Sequence, residues 1–265
     1  MRLSPLLAGY DNVVLDLDGC VWVGGECTRE APEAVAALRG AGKGLAFVTN
    51  DAARSPEDYV RKLWSLGVQA SLEEVVTVGA AIQHALAERP QTGAYVIGTD
   101  ALFRHVSEAG HRILNGSGLE REAAVVVVAA HEGFSYAELR AATQSVAGGA
   151  EIIAAGRDRT FPMEDGPWPG SGAVVAALEY ATGRTAQVVG KPDPQIFRTA
   201  LDRLGPGRTL VVGDRLDSDL AGAAAAGLDA AIVLTGVTSP EDARSADDPA
   251  PVAVAGDLHE LVVAA

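Results

Sequence analysis

The sequence predicts an α/β protein: a doubly wound, mostly parallel sheet with a second α/β module inserted into it. Three observations carry that expectation. Short runs rich in Val and Leu recur and end in polar residues, first at Val13-Val14-Leu15-Asp16-Leu17-Asp18-Gly19 and later around 45–51, 187–192 and 209–214, the pattern of strands buried on both faces. Stretches with helix start and stop signals separate them. Midway, Glu88-Arg89-Pro90-Gln91-Thr92-Gly93 has linker composition, and the alternation then restarts for roughly a hundred residues, the size of a small domain.

Each element has its own warrant. After the opening strand, 31–39 reads as a helix with Pro32 in its first turn and a glycine-rich stop at 40–44. A strand over 45–48 ends in Thr49-Asn50-Asp51, and Ser55 with Pro56 begins the next helix as N-cap and first helical residue. That helix runs through Tyr59, Leu63 and Leu66 to Gly67, and 75–78 and 80–87 follow as strand and helix. Past the linker come strands at 95–98, 125–129 and 151–154, with helices over 101–109 and 136–146 between them. Residues 157–170 read as a long loop, and loops of that length are usually functional or disordered. Helix 173–181 leads to the 187–192 run, helix 194–204, strand 209–212, an alanine-rich helix ending at Gly227, and strands at 231–234 and 252–255.

Composition narrows the function. The chain has 265 residues, with 35 acidic against 21 basic and a formal net charge of -14, which disfavours nucleic acid and anionic membrane as partners. The longest purely apolar run, 123–130, is far too short to span a bilayer, and the first residues lack a signal-peptide core, so the expected location is the cytoplasm. Two cysteines, Cys20 and Cys27, form neither a disulfide framework nor a Cys-x-x-Cys pair, and Cys20 reads as a small buried hydrophobe.

The chemistry gathers at strand ends. Asp16 and Asp18 point the same way along an extended strand because side chains alternate with period two. Two converging carboxylates need a cation or a proton. An Asp-x-Asp-Gly turn or a calcium loop is the plainer reading of this segment alone, but an EF-hand needs Gly at the sixth loop position, which is Val21 here. Thr49 and Asn50, Lys191, and Asp214 with Asp217 and Asp219 occupy further strand ends, which in a parallel sheet face one crevice. Carboxylates without His or Cys suit a hard ion such as Mg²⁺. Lys191 adds a fixed cation, and Thr49 with the amides after it supplies donors for phosphate oxygens. A carboxylate nucleophile then divides phosphate-ester hydrolysis into two displacements, with the second aspartate managing the proton.

Asp16-Leu17-Asp18-Gly19, Val48-Thr49-Asn50, Gly190-Lys191-Pro192 and Gly213-Asp214-Arg215-Leu216-Asp217-Ser218-Asp219 resemble the four ordered motifs of the haloacid dehalogenase superfamily. The insertion, with Trp168-Pro169-Gly170-Ser171-Gly172 before the third motif, resembles the subfamily of phosphoglycolate, pyridoxal phosphate and nitrophenyl phosphatases and NagD. The likeness runs from about 11 to 231. It implies a Rossmann-like core over 1–89 and 186–265 and a C2-type cap over 90–185. It implies a Mg²⁺-dependent phosphatase of a small phosphorylated metabolite, working through an aspartyl-phosphate. By position it makes Asp16 the nucleophile and a metal ligand, and Asp18 the general acid and base and a metal ligand through its backbone carbonyl. Asp214 becomes the third protein ligand. Thr49, Asn50 and Lys191 bind the phosphoryl group, and Asp219 orients metal waters or Lys191 from behind. Asp217 reads as a solvated loop acid. Paired caps in that family imply a homodimer through the cap.

Three positions depart from the family pattern. Asp51 stands where Asn is expected, and the milder reading is an N-capping or solvent-facing role; His131 and Gly156 replace an expected Asp and Asn of the cap. These changes bear on substrate more than on chemistry. Two other functions fit the same motifs, phosphoryl transfer to a second substrate by a mutase or phosphotransferase, and a catalytically silent phosphate-metabolite-binding module. The latter gives no reason for Asp16 beside Asp18.

Overall fold

The structure is a computed structural model that describes residues 2–52, 54–163 and 166–264. It holds the predicted α/β fold in two compact units, one comprising Met1–Thr49, Pro56–Val76 and Lys191–Ala265, the other Asn50–Ser55 and Thr77–Gly190.

The first unit is built on a six-stranded sheet. From one edge its strands are Ala253–Ala255, Asp229–Val233, Thr209–Gly213, Asn12–Asp16, Gly44–Thr49 and Val75–Thr77. Asn12–Asp16 is buried at every residue, as its unbroken apolar run requires when helices cover both faces. The chain proceeds outward from this strand to Gly44–Thr49 and Val75–Thr77, then returns to build the other half through Thr209–Gly213. The order therefore reverses between Asn12–Asp16 and Thr209–Gly213. Open α/β sheets bind ligands outside the carboxyl ends of the strands at such a reversal. Parallel register sets Leu15 beside Val212 and Asp16 beside Val48, so Asp16, Thr49 and Asp214 come off the sheet at nearly one level. Beneath them the core packs Leu15, Leu17, Trp22, Leu38, Phe47, Tyr59 and Leu63, all essentially dry.

The second unit has a five-stranded sheet with Gln187–Val188 at one edge, then Glu151–Ala154, Val125–Val128, Gly93–Ile97 and Arg112–Ile113. The four valines of Val125–Val128 are all buried, and Val126 and Val128 join Ile97, Ile152, Val175 and Leu178 in a separate core. The helix Val78–Ala87 groups with this unit.

Two local expectations change. The 187–192 run does not end a strand of the first sheet: Gln187–Val188 pairs parallel with Ile153 and Ala154, so Lys191 opens the return to the first unit instead of capping one of its strands. Periodicity reports that a strand exists, whereas its partner depends on a distant segment. The long loop over 157–170 contains two antiparallel strands, Thr160–Met163 and Gly166–Pro169, with Phe161 opposite Trp168. Pro162, Pro167 and Pro169 hide that hairpin from the sequence, since proline lacks a ladder donor and reads as loop. Glu164 and Asp165, between the strands, lie outside the described residues.

One ion pair ties the helix Ala31–Gly40 to the turn before Val75–Thr77. Arg39 donates from Nη1 and Nη2 to the two Glu74 oxygens at 2.7 and 2.6 Å, and Nη2 also reaches the Gln69 carbonyl at 2.8 Å. Burial pushes the Glu74 carboxyl up, but the Arg39 guanidinium and the Ser71 N–H overcome it and hold the group below the usual carboxylate range. A depressed carboxyl contributes stability above its unfolded-state value and loses it as pH falls through the folded-state value. Glu74→Gln is therefore expected to destabilise by about 1–2 kcal/mol at pH 7. In denaturant titrations the deficit should shrink as the pH is lowered through the acid range.

Candidate active site

Four charged side chains that the sequence places on three separate segments meet in the dry interior of the first unit. Asp16 ends its strand, Asp214 directly follows Thr209–Gly213, Asp219 lies in the short π-helix Leu216–Leu220, and Lys191 begins the returning segment. Asp16 and Lys191 are each 5% exposed, Asp214 is 1% and Asp219 fully buried. The Lys191 ammonium donates to Asp16 Oδ1 and, at 2.7 Å, to Asp219 Oδ1. The second Asp219 oxygen accepts from the Arg215 backbone N–H at 3.1 Å. Both oxygens of Asp219 are thereby committed to holding lysine and loop.

Asp214 differs. Its Oδ2 accepts from the Val237 N–H at 2.7 Å, while its Oδ1 is buried with no hydrogen-bond partner. Glycines press against it: a Cβ on Gly236 would lie 1.9 Å from Asp214 Oδ2, and one on Gly19, whose φ is +89°, would lie 2.5 Å from its carboxyl carbon. Only a hydrogen fits at either place. Among the described residues, Asp16, Asp214 and Asp219 bring carboxylate oxygens within 4.8 Å of one another.

The electrostatics follow from three acids and one ammonium in a dry space. Burial pushes Asp16 well up, the carboxylates of Asp219 and Asp214 adding to it and Lys191 opposing it. Burial also raises Asp214, against the Val237 N–H. Desolvation alone would lower Lys191, but Asp16 and Asp219 overcome it and hold the ammonium charged, above its ordinary value. The excess negative charge, the oxygen-only donor set and the unpartnered Asp214 Oδ1 fit a hard divalent cation held by Asp16 and Asp214.

The other predicted residues fall as follows. Thr49 ends the adjacent strand and is 2% exposed. Asn50 is the first residue of the second unit, where its side chain lies against Gly190. Asp18 is exposed, and its carboxylate lies outside the buried acidic cluster; Oδ1 accepts from the Trp22 indole N–H at 2.7 Å. Asp217 is exposed and paired with Arg215 at 3.0 and 3.1 Å, a solvated loop acid as read from the sequence. In the second unit His131 bonds Glu138 at 2.9 Å, and a Cβ on Gly156 would approach Asp158 to 2.9 Å. Sequence reasoning missed Trp22, Thr235, whose hydroxyl donates to the Gly19 carbonyl, and the Gly236–Val237 backbone that holds Asp214. Only Trp22 left a signal, as the large residue three places after Gly19.

A buried acidic strand end with its own lysine, at the reversal of a parallel sheet whose chain carries an inserted α/β unit, is the arrangement of an α/β hydrolase with an inserted domain. A profile of the haloacid dehalogenase-like hydrolases matches residues 13–112, and a HAD-hydrolase-like profile matches 188–261. D-glycerol 3-phosphate phosphatase of Mycobacterium tuberculosis is 38% identical over 262 residues, covering 98% of this chain and 73% of that protein. Human glycerol-3-phosphate phosphatase is 34% identical over 272 residues, covering 92% and 85%. The crystal structure of the M. tuberculosis glycerol phosphate phosphatase in complex with magnesium superposes with a TM-score of 0.91 at 37% identity, over 98% of this chain and 79% of that one. The chain belongs to the haloacid dehalogenase-like hydrolases, and it is a hydrolase of phosphoric monoesters. No helix among the described residues is long and apolar enough to cross a membrane.

A folded-state carboxyl raised above its unfolded value weakens the metal-free protein as pH rises from the acid range toward neutrality. In EDTA at pH 7, Asp214→Asn is accordingly expected to melt above the parent, and the gap should close as pH is lowered toward 4. Adding Mg²⁺ should raise the melting temperature of the parent and leave that of Asp214→Asn unmoved.

Proposed function

We propose that the chain is a Mg²⁺-dependent phosphatase of a small, glycerol-phosphate-like monoester, acting through an aspartyl-phosphate on Asp16. The observation that carries this reading is Asp16 itself, a buried carboxylate at a strand end, gripped on one oxygen by Lys191 and clustered with Asp214, whose Oδ1 has no hydrogen-bond partner. The glycerol phosphate class is supported by the names of the two relatives.

Asp16, Asp214 and the Asp18 carbonyl are the residues that would hold the ion, which when bound supplies positive charge to a transferring phosphoryl group. Asp16 attacks phosphorus as the ester P–O bond breaks, and the departing oxygen takes its proton from Asp18. Asp18 then removes a proton from the water that attacks phosphorus, and the bond from phosphorus to Asp16 breaks, which regenerates the carboxylate. Lys191 and Thr49, with Asn50, neutralise and hydrogen-bond the phosphoryl oxygens. Asp219 keeps Lys191 aimed at Asp16.

We further propose a cytoplasmic location, from the composition of the chain, and a homodimer through the inserted unit, from its resemblance to the family; a monomer mass in light scattering would overturn the second of these points. A panel of phosphoglycolate, glycerol phosphate, pyridoxal phosphate, sugar phosphates and nucleotides tests the substrate. Glycerol phosphate should give the highest kcat/KM, and EDTA should abolish phosphate release. Asp16→Asn should lose activity by on the order of 10⁴-fold or more. An Asp16→Asn variant that keeps the parental rate would sink the mechanism.

A further inference from the structure

Asp18 carries the proton in the scheme above, yet its side chain is exposed. An exposed aspartate ordinarily samples several rotamers, and a displacement of about 1 Å in a catalytic group can cost on the order of a hundredfold in rate. What holds Asp18 is therefore a question that the reaction poses.

The answer lies four residues downstream. Trp22 is fully buried, and its Nε1–H donates to Asp18 Oδ1 at 2.7 Å. Two side chains pack on the indole. Its ring stacks on Tyr59 with centroids 6.2 Å apart and planes within 4°, and the Lys62 ammonium sits 3.9 Å from its centroid. Its backbone closes a tight turn: the Val21 and Trp22 N–H groups donate to the Leu17 carbonyl at 2.9 and 3.1 Å, and Gly19 N–H donates to the Trp22 carbonyl at 2.7 Å. Thr28 ties the same turn to the next segment, its hydroxyl donating to the Cys20 carbonyl at 2.8 Å and its N–H to that of Val21 at 3.0 Å. Trp22 also pairs with Cys27 in the small hairpin Trp22–Val23 and Glu26–Cys27. A buried donor thus aims at an exposed acceptor.

We propose that Trp22 is a positioning residue for proton transfer, its indole N–H fixing Asp18 Oδ1 so that Oδ2 is the oxygen that gives and takes the proton. This inference rests on Asp18 being the acid and base. Tryptophan suits the task because indole N–H only donates. It cannot accept the proton that Asp18 must deliver, so it orients the carboxyl without competing for its proton.

The test exploits leaving groups. The quantity kcat/KM reports steps up to departure of the alcohol, and proton donation matters much for an alkoxide and little for p-nitrophenolate. Trp22→Phe keeps a ring against Tyr59 and removes the N–H. It should lower kcat/KM about tenfold or more for glycerol phosphate, within the range of general acid catalysis, and by less than about twofold for p-nitrophenyl phosphate. In an Asp18→Asn background the same change should have no further effect on either, since a residue acting through Asp18 has nothing left to act through. If Trp22→Phe does not fold, β-(3-benzothienyl)alanine placed at 22 keeps the indole shape with sulfur for N–H and should give the same split. Equal losses for both leaving groups, or a loss that persists in the Asp18→Asn background, would show a packing role and overturn the inference. An Asp18→Asn enzyme with the parental kcat/KM for glycerol phosphate would instead overturn the assignment of Asp18, and is told apart because it needs no change at Trp22.

Discussion

The site depends on one ammonium between two buried carboxylates. Lys191 reaches Asp16 and Asp219 from a segment far from both in sequence, and all three are nearly or wholly removed from water. Taking such charges out of water costs several kcal/mol per ion, and their attraction offsets that only where the geometry is good and the remaining lone pairs are occupied. Asp219 meets that condition through the Arg215 N–H. Asp16 and Asp214 do not cancel within the protein: two more negative charges share the space with a single lysine already divided between partners. A divalent cation would balance this surplus, and metal affinity and folding would then be linked through the same carboxylates.

The sheet explains why these groups meet at all. Asp16 stands on the strand from which the chain departs in one direction and beside which it later returns, and Asp214 leaves the sheet from that returning strand. Register brings the two strand ends level, so the separation of the acids is set by the spacing of neighbouring strands and not by loop length. The tight approach is completed by Gly19 and Gly236, where any side chain would occupy the space of the Asp214 carboxyl. Lys191 arrives differently. It leaves the second unit at Gly190, and its strand-like prelude belongs to the second sheet.

The extent to which this was legible in the sequence follows from what each signal measures. Val13 to Leu15 before Asp16, and Leu210 to Val212 before Asp214, report strands buried on both faces, and the end of such a strand is a fixed place in an α/β fold. Those acids and the fold class could be read directly. Gly190-Lys191-Pro192 also announced its lysine, but for a reason the structure changes, since the preceding strand lies in the other sheet. The hairpin over 160–169 was hidden by its prolines. The grip of Trp22 on Asp18 was invisible because a tryptophan in an apolar run says core, and burial is indeed what it has. Which way its single polar atom points is decided by the turn over 17–22 and by Tyr59, some forty residues away.

That turn also separates two acids that period-two alternation would make equivalent. Asp16 lies within the last paired step of a buried strand, while the chain after Leu17 bends so that three successive N–H groups converge on the Leu17 carbonyl. The bend leaves Asp16 dry against Lys191 and puts Asp18 in water against an indole. A carboxylate that must bond to phosphorus benefits from a fixed place and a fixed cation. One that must exchange protons with an alcohol and a water benefits from access to both, provided that something else restricts its rotation. Environment, not residue type, assigns the roles in such pairs. Here a single turn of backbone creates both environments, which gives a physical reason for the division of work proposed for two aspartates separated by a single residue.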